Sequence, residues 1–128
     1  MVNKIDMYDK VIPKGTKVEI VFVLGTPGGT YSVAEIKPDI EGYKLCPSYL
    51  ILTVPDEVQA NISITNENGE IILLPDYVSN DTVILDSDDF RGLNYLDSIK
   101  LYANTITDTT ADRTVTLEIG GKLIIPYL

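Results

Sequence analysis

The single thiol, Cys46, is the first group in this 128-residue chain with the chemistry of a nucleophile, and the base such a nucleophile needs is missing. The chain has no histidine. That removes the Ser-His and Cys-His arrangements and the commonest metal sites together. Cys46 sits in Tyr43-Lys-Leu-Cys-Pro-Ser-Tyr-Leu50 and reads as a small buried hydrophobe. Being alone, it forbids an internal disulfide. Nineteen Asp and Glu always offer pairs for glycosidase-type acid–base work. None is marked out by spacing, and neither Trp nor His is available to line a cleft. Asp86, Asp88 and Asp89 could bind Ca²⁺ through carboxylate oxygens, but the EF-hand spacing is not met, because Phe90 stands at the fifth position and Asp97 at the twelfth. Capping of one short helical turn over Asp86–Gly92 explains the same aspartates. Gly25-Thr-Pro-Gly-Gly-Thr30 invites comparison with a phosphate cradle, yet neither a Walker lysine nor a following helix accompanies it, and it reads as a mobile structural loop. The expectation is no enzyme, no cofactor and no metal.

The eight tyrosines are the remaining chemistry-bearing set. On a sheet face they could stack on sugars or anchor a protein interface. They are spread from Tyr8 to Tyr127 with no spacing that builds a platform, so packing at strand ends accounts for most of them.

The elements that must position these groups are strands. Thr16–Leu24 puts Val18, Ile20, Phe22 and Leu24 on one face, while Val21 and Val23 make the second face apolar and imply cover on both sides. Tyr31–Lys37 is a short strand, and Tyr43–Val54 a long one that Pro47 pushes to an edge or breaks. Val58–Thr65, the turn Asn66-Glu-Asn-Gly69 and Glu70–Leu74 make a hairpin that Pro75-Asp76 ends. Thr82–Leu85 and Leu96–Ala103 are strands, and Asn104–Asp112 is a polar, solvated tip. Arg113–Ile119 and Lys122–Leu128, joined by Gly120-Gly121, read as a hairpin whose Gly121 needs φ > 0. About eight strands, turn signals every roughly 8–12 residues and at most one helical turn give an all-β, antiparallel β-sandwich, jelly-roll or immunoglobulin-like, with a partly open barrel as the second choice. It forms one domain over 1–128, with 1–12 as a first strand or arm.

The net charge of −9 argues against nucleic acid and against anionic membrane surfaces. No apolar run approaches the ~20 residues of a membrane span, and Met1-Val-Asn-Lys-Ile-Asp6 has no apolar leader core, so a cytoplasmic setting follows unless the chain belongs to a particle. The C-terminal run is apolar on both faces. Left in water it would be an aggregation-prone edge, so Ile124, Pro126, Tyr127 and Leu128 are the candidate assembly interface.

The Thr/Asp-rich loop Asn104–Arg113, the Gly-Gly pair, and the passage Asp86–Ala103 ending in Leu96-Asp-Ser-Ile-Lys-Leu-Tyr-Ala103 give the chain its character. In that character it resembles small bacteriophage virion proteins: capsid decoration, head-fibre or tail-accessory sandwiches. The resemblance carries no diagnostic motif and transfers no functional residue. It implies a non-enzymatic structural protein of a virion, contacting other virion proteins or copies of itself as a homo-oligomer. The alternative is a carbohydrate-binding or adhesin-type module. An assembly protein should bury its doubly apolar strands against copies of itself, whereas a sugar binder should present several aromatics on one exposed sheet face.

Overall fold

A computed structural model describes residues 9–86 and 96–125. Within these residues, seven antiparallel strands form a single sheet: β1 (Asp9–Val11), β2 (Lys17–Phe22), β3 (Tyr31–Ile36), β4 (Lys44–Asn66), β5 (Ile71–Asp86), β6 (Ile99–Thr105) and β7 (Arg113–Ile124). The all-β, antiparallel expectation holds. The described strands are hydrogen-bonded into one continuous, curled sheet, a half-barrel.

The curl originates in β4. Its first half pairs with β7 as far as Thr53, and its second half pairs with β6 from Ala60 onward. Between them, Val54 opposes Asp81 but Gln59 opposes Ser79, so β4 carries extra residues at 55–58 that bend the ladder. Asn80, on the partner strand inside this irregular stretch, adopts φ 47°, a left-handed conformation that asparagine tolerates better than most residues. β5 follows β4 around the bend. Two walls result. The first contains β1, β2, β7, the first half of β4 and the last third of β5; the second contains β3, β6 and the remaining parts of β4 and β5.

One core lies on the inner side of both walls. Leu50, Leu52, Leu117 and Ile119 supply it from the first, and Ile62, Ile64, Ile99 and Leu101 from the second, all fully buried. These are the alternate residues expected to point inward, because successive side chains of a strand face opposite sides. Each such side chain contributes about 1.5–3 kcal/mol on removal from water.

Several local expectations are corrected. Pro55 and Pro75 do not end strands. β4 absorbs the first in its bend. β5, paired on one side only, passes Pro75 at a register shift, where Ile62 faces Asp76 but Ile64 faces Leu73. An edge strand tolerates proline's missing N–H. Pro47 also lies in a paired strand rather than at a break. A bulge between Pro47 and Tyr49 accommodates it.

Gly120-Gly121 is no hairpin turn. Both residues lie inside the twelve-residue β7, directly across from the Pro47–Tyr49 bulge. A Cβ on Gly120 would collide with the Tyr49 ring, and one on Gly121 would collide with the Cys46 carbonyl oxygen. Gly121 does take a positive φ, 140°. The two glycines thus give the bulged strand and its tyrosine room to approach, a use of glycine that sequence alone does not separate from a turn. The Asn66–Gly69 turn is present as read, with Gly69 at φ 81°. The Asn66 side-chain oxygen accepts from the N–H groups of Asn68 and Glu70.

Candidate functional site

The residues singled out for chemistry do not converge. Cys46 is half-buried in β4, paired with Lys122. Asp86 is the last residue of β5, opposite Tyr49, while Asp88, Asp89 and most of the helical turn expected at Asp86–Gly92 lie outside the described residues. Among the described residues, no three His, Cys, Asp or Glu come together as a metal site would require. Ile124 is paired on both sides, to Asp9 of β1 and Lys44 of β4, so β7 is an interior strand where the sequence suggests an edge. The other residues of the candidate C-terminal interface, Pro126, Tyr127 and Leu128, lie outside the described residues.

The glycine loop and the Thr/Asp loop, expected as a mobile loop and a solvated tip, are zipped together. The Gly25 N–H donates to the Thr109 carbonyl and the Thr109 N–H to the Thr26 carbonyl, at 2.9 and 2.8 Å. Asp112 Oδ1 accepts from the Leu24 N–H and Asp108 Oδ1 from the Gly28 N–H. Thr105, itself buried, accepts from Gly29 through its carbonyl and from Thr30 through its hydroxyl. With Thr26 bonded to the Val23 carbonyl, every backbone N–H from Leu24 to Thr30 ends on a protein acceptor, Pro27 having none. The carboxylates of the chain's own second loop thus occupy the amides a phosphate would need. A Cβ on Gly28 would stand 2.5 Å from the Ile106 carbonyl oxygen, which is why the tight junction carries glycine there.

What remains accessible is the outer side of each wall. On the first wall, Thr82 of β5, Thr53 of β4 and Thr116 of β7 form one row, flanked by Ile84 and Ile51. At its free edge β2 leaves Val21 58 %, Val23 56 % and Leu24 65 % exposed. The expectation that the second half of this strand is covered on both sides therefore fails within the chain itself. Among the described residues, β2 is hydrogen-bonded along one side only, to β7.

On the second wall, Tyr77 of β5, Asn61 of β4, Asn104 of β6 and Tyr31 of β3 stand in one row across four strands. The next row carries Ser63, Tyr102 and Val33. Tyr31 and Tyr77 are more than half exposed, and the Tyr31 and Tyr102 rings lie 5.9 Å apart, tilted by 34°. Asn104 Oδ1 is shielded from solvent and has no hydrogen-bond partner among the described residues. A third row, farther along, pairs Lys100 with Glu35. Burial pushes the Glu35 carboxyl up, but the ammonium groups of Lys37 and Lys100 favour its ionised form, and the group lies below its ordinary 4.5. Lys37 lies 3.2 Å from the Glu35 carboxylate.

The strands thus gather three of the eight tyrosines, which looked scattered in sequence, on one face. The alternation of β6 signals that Tyr102 points away from the core. The alignment of Tyr77 with Tyr31 is a matter of register between strands far apart in the chain, which no local pattern encodes. A small, mostly apolar pocket is bounded by Ile12, Ile36, Leu45 and Leu123, with Lys37 and Asp39 among its lining. No protein-family model matches this chain, and no curated protein is significantly similar to it.

Proposed function

We propose that this chain is a non-enzymatic structural protein that works through protein–protein contacts and assembles with copies of itself, the role that its likeness to virion accessory proteins implies. The observation that carries the reading is the exposure of Val21, Val23 and Leu24, three apolar residues close together at the free edge of β2 and just beyond its end. An apolar edge of this kind is an association surface unless something covers it. β3 lies beside β2 without pairing to it, and the three side chains stay more than half exposed. The outer face of the first wall continues it with Thr114, Thr116 and Thr53, and the Lys17–Glu19 ion pair stands on the same face, so a partner docking there meets threonines and one paired charge.

Pro126, Tyr127 and Leu128 belong to the same proposal by their apolar sequence alone. The test is substitution. Val21→Lys with Val23→Lys should leave the melting temperature within a few degrees and convert an assembled species to monomer in sedimentation. A wild-type chain that sediments as the double variant does would refute the reading.

A further inference from the structure

We propose that the outer face of the second wall is a binding platform for a neutral oligosaccharide, a function separate from assembly through β2. Tyr77, Asn61, Asn104 and Tyr31 form its central row, and Tyr102 stands in the row beside it. Four adjacent strands place the outer tyrosines roughly 14 Å apart, three interstrand spacings, the span of a short oligosaccharide. Both outer rings are more than half exposed, which on a folded surface leaves a large apolar area in water. The tilted Tyr31–Tyr102 pair makes a shallow corner at one end. Between the rings stand two amide side chains, of which Asn61 is exposed and able both to donate and to accept. Ser63 adds a hydroxyl.

A sugar has the matching composition: C–H faces that stack on aromatic rings, and hydroxyl edges that exchange hydrogen bonds with amides. The charge pattern selects further. Neither of the two rows contains an Asp, Glu, Lys or Arg, in a chain that carries 29 such residues. A neutral ligand meets no unpaired charge there. A polyanion, nucleic acid included, meets the repulsion of a net −9.

The experiment titrates the intact protein with neutral gluco-, manno- and N-acetylglucosamine oligosaccharides of three to six units. A sulfated oligosaccharide and a tyrosine-free peptide serve as comparisons. Calorimetry and tyrosine fluorescence read the binding, the latter undisturbed because the chain has no tryptophan. The expected result is saturable binding of at least one neutral oligosaccharide, weakened about tenfold or more by Tyr31→Ala and by Tyr77→Ala. Tyr31→Phe should retain it, and Thr53→Ala on the opposite wall should not change it. Melting curves of each variant establish that the fold is intact. Failure of every neutral oligosaccharide to bind overturns the proposal. So does binding that survives the Tyr31→Ala/Tyr77→Ala double variant, or preference for the sulfated sugar or the peptide. Assembly through β2 is read separately, as solution mass, and stands or falls without reference to these titrations.

Discussion

The two walls of this sheet share two strands and one core, yet their outer faces have different chemistry. The first wall shows aligned threonines with Ile51 and Ile84, and an apolar edge at Val21 and Val23. The second shows two adjacent amides flanked by tyrosines. Their inner faces are nearly interchangeable: Leu52 opposite Leu117 in one, Ile64 opposite Leu101 in the other. Burial constrains the inward positions to apolar residues of fitting volume, whichever wall they serve. The outward positions bear no such constraint, so the difference between the walls is where function is written.

The likeness of the inner faces is open to direct test. Leu52→Ala and Leu101→Ala should each cost about 3 kcal/mol, because each removes a fully buried side chain and leaves a cavity. Chemical denaturation measures both. A twofold or greater disparity would show that the two halves of the core are not equivalent.

Gly121→Ala separates the walls, because the first alone has a glycine pressed against a bulge. Its Cβ would meet backbone, not a flexible side chain, and its φ of 140° is unfavourable to any L residue. A loss of about 2–3 kcal/mol is expected by urea denaturation. Gly120→Ala meets the Tyr49 ring, and Tyr49→Ala in the same chain should recover part of the loss.

Gly28→Ala probes the junction at which the loops of the two walls meet. The new methyl group would strike the Ile106 carbonyl, and a loss of about 1–2 kcal/mol is expected, with faster amide exchange at Gly25 and Thr109. Unchanged exchange would mean that the two loops are not held as described.

The smallest effect belongs to Glu35 at the margin of the second wall. Its folded pKa lies below the unfolded 4.5, so the ionised form favours the folded state. Its contribution is complete above 4.5 and disappears as pH falls through the lowered folded value. Glu35→Gln should therefore melt slightly earlier than the wild-type chain at pH 7 and with it at pH 2. A gap between the two that persists at pH 2 would assign the effect to packing. Because the side chain is partly exposed, solvent and salt screen the effect.

The sequence made the strands legible wherever alternation was strict. Ile99, Leu101 and Ala103 are buried, and Lys100 and Tyr102 face out, as the pattern requires. Gly69 turned the chain where expected, because a glycine closing a short polar stretch between two apolar runs suits the left-handed position of a turn. Local punctuation misled where tertiary packing supplied the reason for a residue. Pro55 and Pro75 signalled ends, but bulges carried the strands through them. Gly120-Gly121 signalled a turn, when the glycines were answering the Tyr49 ring and the Cys46 carbonyl on another strand. Val21 and Val23 looked like core because apolar side chains usually are, and their exposure becomes visible only once β2 is found at an edge. The tyrosine row was hidden for the same reason: Tyr31 and Tyr77 are brought into line by pairings across β4 and β6, not by anything near them in the chain.

If the edge of β2 is covered by another copy of the chain, the protein cannot be a monomer at every concentration. Light scattering of the unmodified protein over a wide range of concentration reads this without any substitution. The expected mass exceeds the 14.1 kDa of one chain and rises with concentration and with added salt, because salt screens the repulsion between subunits of charge −9. A mass of 14.1 kDa at every concentration and salt would contradict assembly through β2.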